Sequence, residues 1–238
     1  MVKTTALVTG ANKGLGREAV RRLAGLGWTV FLGARDAERG TEAARALAKE
    51  GLDVRFVELD VRSDESVAAA AKTVFTEAGS LDVLVNNAGI GGPGLAPADT
   101  GADELREVFE VNTFGPVRVM RSFLPLLRAA EQPRVVMVSS GMGSFGVAED
   151  PRHAGIVPPQ LGYPASKTAL NMITVQYAHA MDDIRINAVD PGYTATDLNG
   201  HTGFQSLTEG TDAIVRLACV DADGPTGGFF DRHGKAAW

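Results

Sequence analysis

Short apolar runs rich in β-branched residues alternate along this chain with stretches whose apolar positions recur every three or four residues. The runs are Thr5–Thr9, Thr29–Ala34, Val54–Leu59, Val83–Asn86, Val135–Ser139 and Ile184–Val189. Between them, Leu15, Ala19, Leu23 and Leu26 mark one helical stripe. Val67, Ala70, Ala71, Val74 and Ala78 mark another. The strand runs are continuous rather than alternating, as expected of strands covered on both faces. A βαβα order of this kind predicts an α/β fold: a doubly wound parallel sheet of about seven strands with helices on both faces. No linker rich in Pro, Gly or Ser divides the pattern, so residues 1–238 are expected to form a single domain.

Two segments break the rhythm. Ser144 to Gly162 carries Pro151, Pro158 and Pro159 with little periodicity. It reads either as an active-site rim or as a passive surface loop. Thr194 to Gly210 contains Gly200, Gly203 and Gly210 and reads as a lid over a ligand.

Composition narrows the function classes. Net charge is −6 with no lysine-arginine run, which argues against nucleic acid or an anionic membrane as the main partner. Cys219 is the one cysteine, and no cysteine-histidine cluster suggests a metal. Neither a signal segment nor a bilayer-length apolar stretch is present, so a cytoplasmic location is expected. His153, His179, His201 and His233 lack ligand spacing; His201, in the second irregular segment, is the one placed to touch a substrate.

Chemistry enters at two places. Gly10-Ala11-Asn12-Lys13-Gly14-Leu15-Gly16 lies between the first strand and the first helix, where backbone N–H groups and a helix N-terminus can hold a pyrophosphate. A glycine-rich turn without a ligand is the alternative. At the end of the second strand stands Arg35, where an acidic residue would bind the ribose hydroxyls of NAD. Arg35 suits a 2′-phosphate, with Lys13 as a second cation, and both point to NADP(H). Asp36 either turns toward the ribose or begins the next helix.

Further along, Tyr163 and Lys167 lie four residues apart, so a helix places phenol and ammonium on one face. A nearby cation favours the phenolate, whose unperturbed pKa of about 10 is too high for proton exchange near neutrality. Asn112 lies in a helical pattern from Leu105 through Val108 and Phe109. Four residues later Pro116 has no N–H for the Asn112 carbonyl. The helix either continues with a kink and a free carbonyl or ends at Gly115.

Thr9–Gly16, Asn86-Asn87-Ala88-Gly89, Asn112, Ser140, Tyr163-x-x-x-Lys167 and Pro191-Gly192 occur in the order seen in the short-chain dehydrogenase/reductase family. The chain resembles its carbonyl-reductase branch over essentially its whole length. The resemblance implies a Rossmann-type sheet and reversible NADPH-dependent reduction of a ketone or aldehyde. Tyr163 would be the general acid or base, with Lys167 lowering its pKa and binding the nicotinamide ribose. Ser140 would donate to the substrate oxygen, and Asn112 would hold a water in a proton relay. Gly10, Asn12, Lys13, Gly14, Leu15, Gly16 and Arg35 would bind cofactor. Asp60 and Val61 would flank the adenine; Asn87, Ala88 and Gly89 would line the adenosine side. Pro191, Gly192, Thr194 and Thr196 would line the carboxamide and pyrophosphate. The family often has valine where Thr194 stands, which leaves a side-chain role there in doubt. The family also implies pairing through the helices flanking the site, as homodimer or homotetramer. An NADP-binding sensor or scaffold without catalysis is the alternative function.

Overall fold

The structure is a computed structural model that describes residues 3–150 and 158–238. Strand and helix alternate from the start: β1 (Thr5–Val8), α1 (Gly14–Gly25), β2 (Thr29–Ala34), α2 (Ala37–Lys49), β3 (Val54–Glu58), α3 (Asp64–Ala78) and β4 (Val83–Asn86). Then come α4 (Ala102–Phe109), α5 (Gly115–Arg128), β5 (Arg134–Val138), α6 (Phe145–Glu149), α7 (Gly162–Ala180) and β6 (Arg185–Val189). The chain finishes with α8 (Leu207–Gly210), α9 (Asp212–Ala218), β7 (Phe229–Asp231) and β8 (Gly234–Lys235).

Among the described residues these strands form one sheet in the order β3-β2-β1-β4-β5-β6-β7-β8. All neighbours are parallel except β7 and β8. Strand order reverses between β1 and β4, and a doubly wound sheet opens a crevice at the carboxyl ends there. Successive strand residues feed opposite layers. Leu7, Phe31 and Leu84 join Val67, Phe123 and Leu170 on the face covered by α3, α5 and α7. Val8, Leu32 and Val85 join Leu23, Leu47 and Ile214 on the face covered by α1, α2 and α9.

The expected strand runs agree with β1 to β6 to within a residue at either end. Beyond them lie β7 and β8, of three and two residues. Strands so short carry no readable period; pairing of Ala188 with Phe229 sets their place. Leu26, expected on the buried stripe of the first helix, is 52% exposed at the C-cap. Gly16, Ala19, Val20, Leu23 and Ala24 form the stripe instead, because the chain turns away through Gly27 at φ 86°. None of the helices among the described residues is long and apolar enough to cross a membrane.

The helix around Asn112 does not end at Gly115. It passes from α4 into α5 through a π-helical turn, Glu110–Phe114, with Gly115 N–H donating to the Glu110 carbonyl. That wide turn accommodates the donor missing at Pro116. Gly115 is required for packing, since a Cβ there would lie 2.9 Å from Val61 Cγ2.

Candidate active site

The carboxyl end of β5 and the first turns of α7 meet at the crevice. Ser139 and Ser140 leave β5 in different directions. Ser139 is buried and donates to Asn171 Oδ1 at 2.5 Å. Ser140 caps the tight turn Gly141–Gly143, accepting from Met142 N–H at 3.2 Å, and hydrogen-bonds the Tyr163 hydroxyl. The turn lies flat against α7: the Thr168 hydroxyl and the Asn171 amide both donate to the Gly143 carbonyl, at 3.0 and 3.1 Å. A Cβ on Gly143 would sit 2.7 Å from main-chain and side-chain carbon of Lys167. Gly143→Ala is therefore expected to lower stability by about 1–3 kcal/mol and to reduce kcat by moving Ser140. Thermal melts and steady-state kinetics on the same preparation check both.

Lys167 is 3% exposed, and its ammonium donates to the Val138 carbonyl at 2.8 Å. Nζ lies 5.6 Å from the centroid of the Tyr163 ring, over its face. Burial pulls the lysine pKa down to about 8. Burial also pushes the Tyr163 phenol up to about 12; the Ser140 hydrogen bond opposes this and the Asp190 charge adds to it. The downward pull expected from Lys167 does not set this shift: desolvation of the phenol dominates, and the opposing pull comes from the Ser140 hydrogen bond.

Asn112 spends its side chain on architecture. Oδ1 accepts from Ile90 N–H at 2.9 Å; Nδ2 donates to the Ile90 carbonyl at 2.9 Å and to Ser166 Oγ at 3.0 Å. The amide thereby ties the loop after β4 to α7. Gly89 lies in the same corner, where a Cβ would be 3.3 Å from Asn112 Oδ1 and 3.5 Å from Lys167 Nζ. Asn112, Ser140, Tyr163 and Lys167 are accordingly brought together, with Gly89 beside them.

The glycine loop forms the opposite wall of the crevice. Gly10 adopts φ 62° and Gly14 φ 56°. A Cβ on Gly16 would lie 2.7 Å from the Gly10 carbonyl oxygen. Asn87 supports the loop from below, its Nδ2 donating to the carbonyls of Thr9 and Gly10 at 2.8 and 3.1 Å. Thr9 Oγ1 accepts the N–H groups of Asn87 and Ala88, both at 3.0 Å. Asn12 is half-buried in the loop, and Leu15 faces Gly210 of α8.

Arg35 is exposed at the end of β2. Asp36 resolves the alternative left by the sequence: it caps α2, accepting from Arg39 N–H at 3.0 Å, and pairs with Arg39. Asp60 accepts two bonds from the Arg62 guanidinium, at 2.7 and 3.0 Å, and one from its backbone N–H at 3.0 Å, which keep its carboxyl below the usual range. Val61 packs on Gly115, and its carbonyl accepts from Arg118 at 3.3 Å.

After β6, Gly192 adopts φ 71° and its N–H donates to Asp190 Oδ1 at 2.9 Å. Thr194 is buried and turns its hydroxyl inward, donating to the Pro191 carbonyl at 3.0 Å. The Thr196 methyl lies 3.9 Å from the point a Gly14 Cβ would occupy, so the two walls approach each other. Lys13 and Asp197 join them across the gap at 2.7 Å, and His201 Nε2 contacts the same carboxylate at 2.7 Å. Lys13, expected to face a phosphate, is thus paired, and His201, expected near substrate, serves that pair instead. Both side chains of the Lys13–Asp197 bridge are half-exposed, so water screens it and an anion can displace the carboxylate.

Of the expected rim, Ser144 to Asp150 includes α6, while Pro151 and His153 lie outside the described residues. His179 and His233 are exposed. Among the described residues no cluster of His, Cys, Asp or Glu could hold a metal. The sequence reading missed Asp190, Ile90 and Ser166. Ile90 contributes only backbone, and the roles of Asp190 and Ser166 depend on contacts between distant segments.

A family model of the short chain dehydrogenases matches residues 4–205. The chain belongs to the short-chain dehydrogenase family. Like other members it is an oxidoreductase, and its relatives include carbonyl reductases. It is 35% identical to (+)-neomenthol dehydrogenase of Arabidopsis thaliana, the alignment covering 95% of each protein. It is 33% identical to the NADPH carbonyl reductase 1 of Mus musculus, covering 99% of each. The solved NADPH-bound carbonyl reductase from chicken fatty liver superposes with a TM-score of 0.87 at 27% identity, over 100% of both chains. In this short-chain dehydrogenase the glycine loop, the serine turn and the tyrosine helix thus sit in a framework shared with an NADPH-bound relative.

Proposed function

We propose that this protein is an NADPH-dependent reductase of ketones or aldehydes, reversible as an alcohol dehydrogenase, with residues 1–238 acting as one domain. The observation that carries the reading is the convergence of the Ser140 and Tyr163 hydroxyls beside a buried Lys167, at the open end of a glycine-lined crevice.

The residues present fit a dinucleotide phosphate. Gly10 and Gly14 take positive φ, and a Cβ on Gly10 or Gly16 would collide with Ala88 or with the loop's own backbone, so glycine lets the loop turn tightly at the N-terminus of α1, where backbone N–H groups can hold a phosphate. With its carboxylate engaged as a helix cap, Asp36 leaves Arg35 as the charged group offered to the adenosine end. Bound NADPH would supply a hydride to the carbonyl carbon. Tyr163 would give its proton to the substrate oxygen, and Ser140 would donate a hydrogen bond to the same oxygen as charge develops. Lys167 would hold the ribose and stabilise the phenolate left after transfer. Asn112 would keep the Ile90 loop and α7 in register, so that Lys167 stays opposite Gly89. Asn12, Lys13, Leu15, Asp60, Val61, Asn87, Ala88, Pro191, Gly192, Thr194 and Thr196 would complete the cofactor cleft. NADPH in the names of the mouse and chicken relatives supports the choice of cofactor.

NADPH oxidation with menthone, benzil and 4-nitrobenzaldehyde tests the reading; absence of turnover on all three would sink it. Arg35→Ala tests the cofactor assignment separately. Loss of a charge-assisted phosphate contact of about 2 kcal/mol should lower the NADPH-over-NADH ratio of kcat/KM by roughly thirtyfold. An unchanged ratio would remove Arg35 from the 2′-phosphate site.

A further inference from the structure

The last three residues of the chain cross from the sheet edge to α6, the helix that follows the Ser140 turn. β7 and β8 form a narrow hairpin, and Ala236 N–H donates back to the Phe229 carbonyl at 2.8 Å. From there Trp238 stacks on the buried Phe229, with ring centroids 5.3 Å apart and planes 15° from parallel. Both Ala236 and Trp238 pack against the core layer beneath α7. Two hydrogen bonds then join this segment to α6. The Ser144 hydroxyl donates to the Ala237 carbonyl at 2.9 Å, and Gly146 N–H donates to the Trp238 carbonyl at 2.8 Å.

The contact leaves no spare room. A Cβ on Gly146 would meet Ala237 Cβ at 2.7 Å and the Trp238 carbonyl at 3.2 Å. Ser144 serves both sides at once, since its oxygen also accepts from Val147 N–H at 3.1 Å and caps α6. Val147 in turn lies beside the Ser140 turn: its Cγ1 is 3.6 Å from the point a Gly141 Cβ would occupy, with Asp190 Oδ2 2.7 Å from that point. A continuous chain of contacts therefore runs from Phe229 through Trp238 and Gly146 to the wall next to Ser140.

A five-residue helix does not hold its own position, because isolated turns of that length are unstable without tertiary support. α6 exposes Phe145 to solvent and buries none of its residues. Among the described residues, the cap, these two bonds and the approach of Val147 to Gly141 hold it in place. We infer that segment 236–238 is a clamp fixing the substrate-side wall, and that Trp238 is a positioning residue for carbonyl binding. The inference rests on the reading of Ser140 and Tyr163 as the carbonyl site.

Its consequence is a split between the two ligands. Releasing the clamp displaces α6 and leaves the glycine loop, Arg35 and β4 untouched. Trp238→Ala should raise KM for carbonyls of the panel about tenfold, as a misplaced wall loses orientation, and leave the NADPH dissociation constant unchanged. Trp238→Phe, which keeps the stacking, should restore most of the loss. Gly146→Ala attacks the same contact from the other side and should act alike, and the double variant should be no worse than either single one. A readout free of catalysis uses Trp28→Phe, in which Trp238 is the remaining tryptophan. There Gly146→Ala should increase acrylamide quenching of Trp238.

An unchanged carbonyl KM in Trp238→Ala overturns the clamp, as does an equal rise in carbonyl KM and NADPH dissociation constant. If Trp238→Ala does not fold, Gly146→Ala decides by the same criteria, and unaltered quenching in it overturns the clamp too. Wild-type protein without turnover on any carbonyl refutes the catalytic reading instead, and the quenching result then still decides whether the clamp exists.

Discussion

Replacing Tyr163 by phenylalanine should reduce kcat for carbonyl reduction by about 10²–10⁴-fold, the usual worth of a positioned general acid. The ring, its packing and the 5.6 Å approach of Lys167 to the ring face survive this change; only the hydroxyl that bonds Ser140 is lost. NADPH affinity should therefore change little. Stability should not fall appreciably, because a buried phenol leaves and the Ser140 hydroxyl keeps its bond to Met142 N–H. With its pKa pushed up to about 12, the free-enzyme phenol is protonated throughout the neutral range and ready to donate. Single-turnover rates at saturating NADPH, with cofactor binding followed separately by fluorescence, separate chemistry from binding. Turnover within tenfold of wild type would mean that another group delivers the proton.

Lys167→Met should separate function from stability, since it removes a charge that the fold buries at a cost. Burial lowers this lysine from 10.5 to about 8. Between those values the unfolded chain binds the proton and the folded chain does not, so stability rises with pH across that window. Below about pH 8 the cost is fully present, about 3 kcal/mol from the size of the shift. Methionine avoids it and strands the Val138 carbonyl, which costs about 1 kcal/mol. The variant should accordingly be more stable at pH 7 by about 2 kcal/mol, or roughly 6 °C in Tm for a chain of this size. At pH 10.5 the gain should vanish. Activity should drop by at least about 100-fold at pH 7, given the loss of the charge beside the phenol. Melts at the two pH values check the sign; a variant less stable at pH 7 than wild type would show that the ammonium is not strained by burial.

These two residues also show how far a linear reading reaches. Spacing alone put Tyr163 and Lys167 on one helix face, because an α-helix repeats every 3.6 residues whatever surrounds it. The direction of the Tyr163 shift was not legible, since desolvation depends on what β5, α7 and the strand-end loops cover. The same division holds at Asn112. Pro116 announced a disturbance four residues earlier, while the π turn that absorbs it and the Ile90 and Ser166 partners come from packing of α4, α5 and α7. Lys13 shows the limit of motif transfer: its place in the loop is local, and its pairing with Asp197 joins segments 184 residues apart.

Local pattern determined the strands β1 to β6, the glycine turn and the order in which chemical groups follow one another. Each of these depends on backbone geometry and on the period of apolar residues within a few turns. Tertiary structure alone decided where β7 and β8 dock, and that Trp238 reaches α6. It also decided that Asp190 stands near the phenol. The reason is physical: burial, charge proximity and close packing are properties of segments brought together by the sheet, and no local period records which segments those will be.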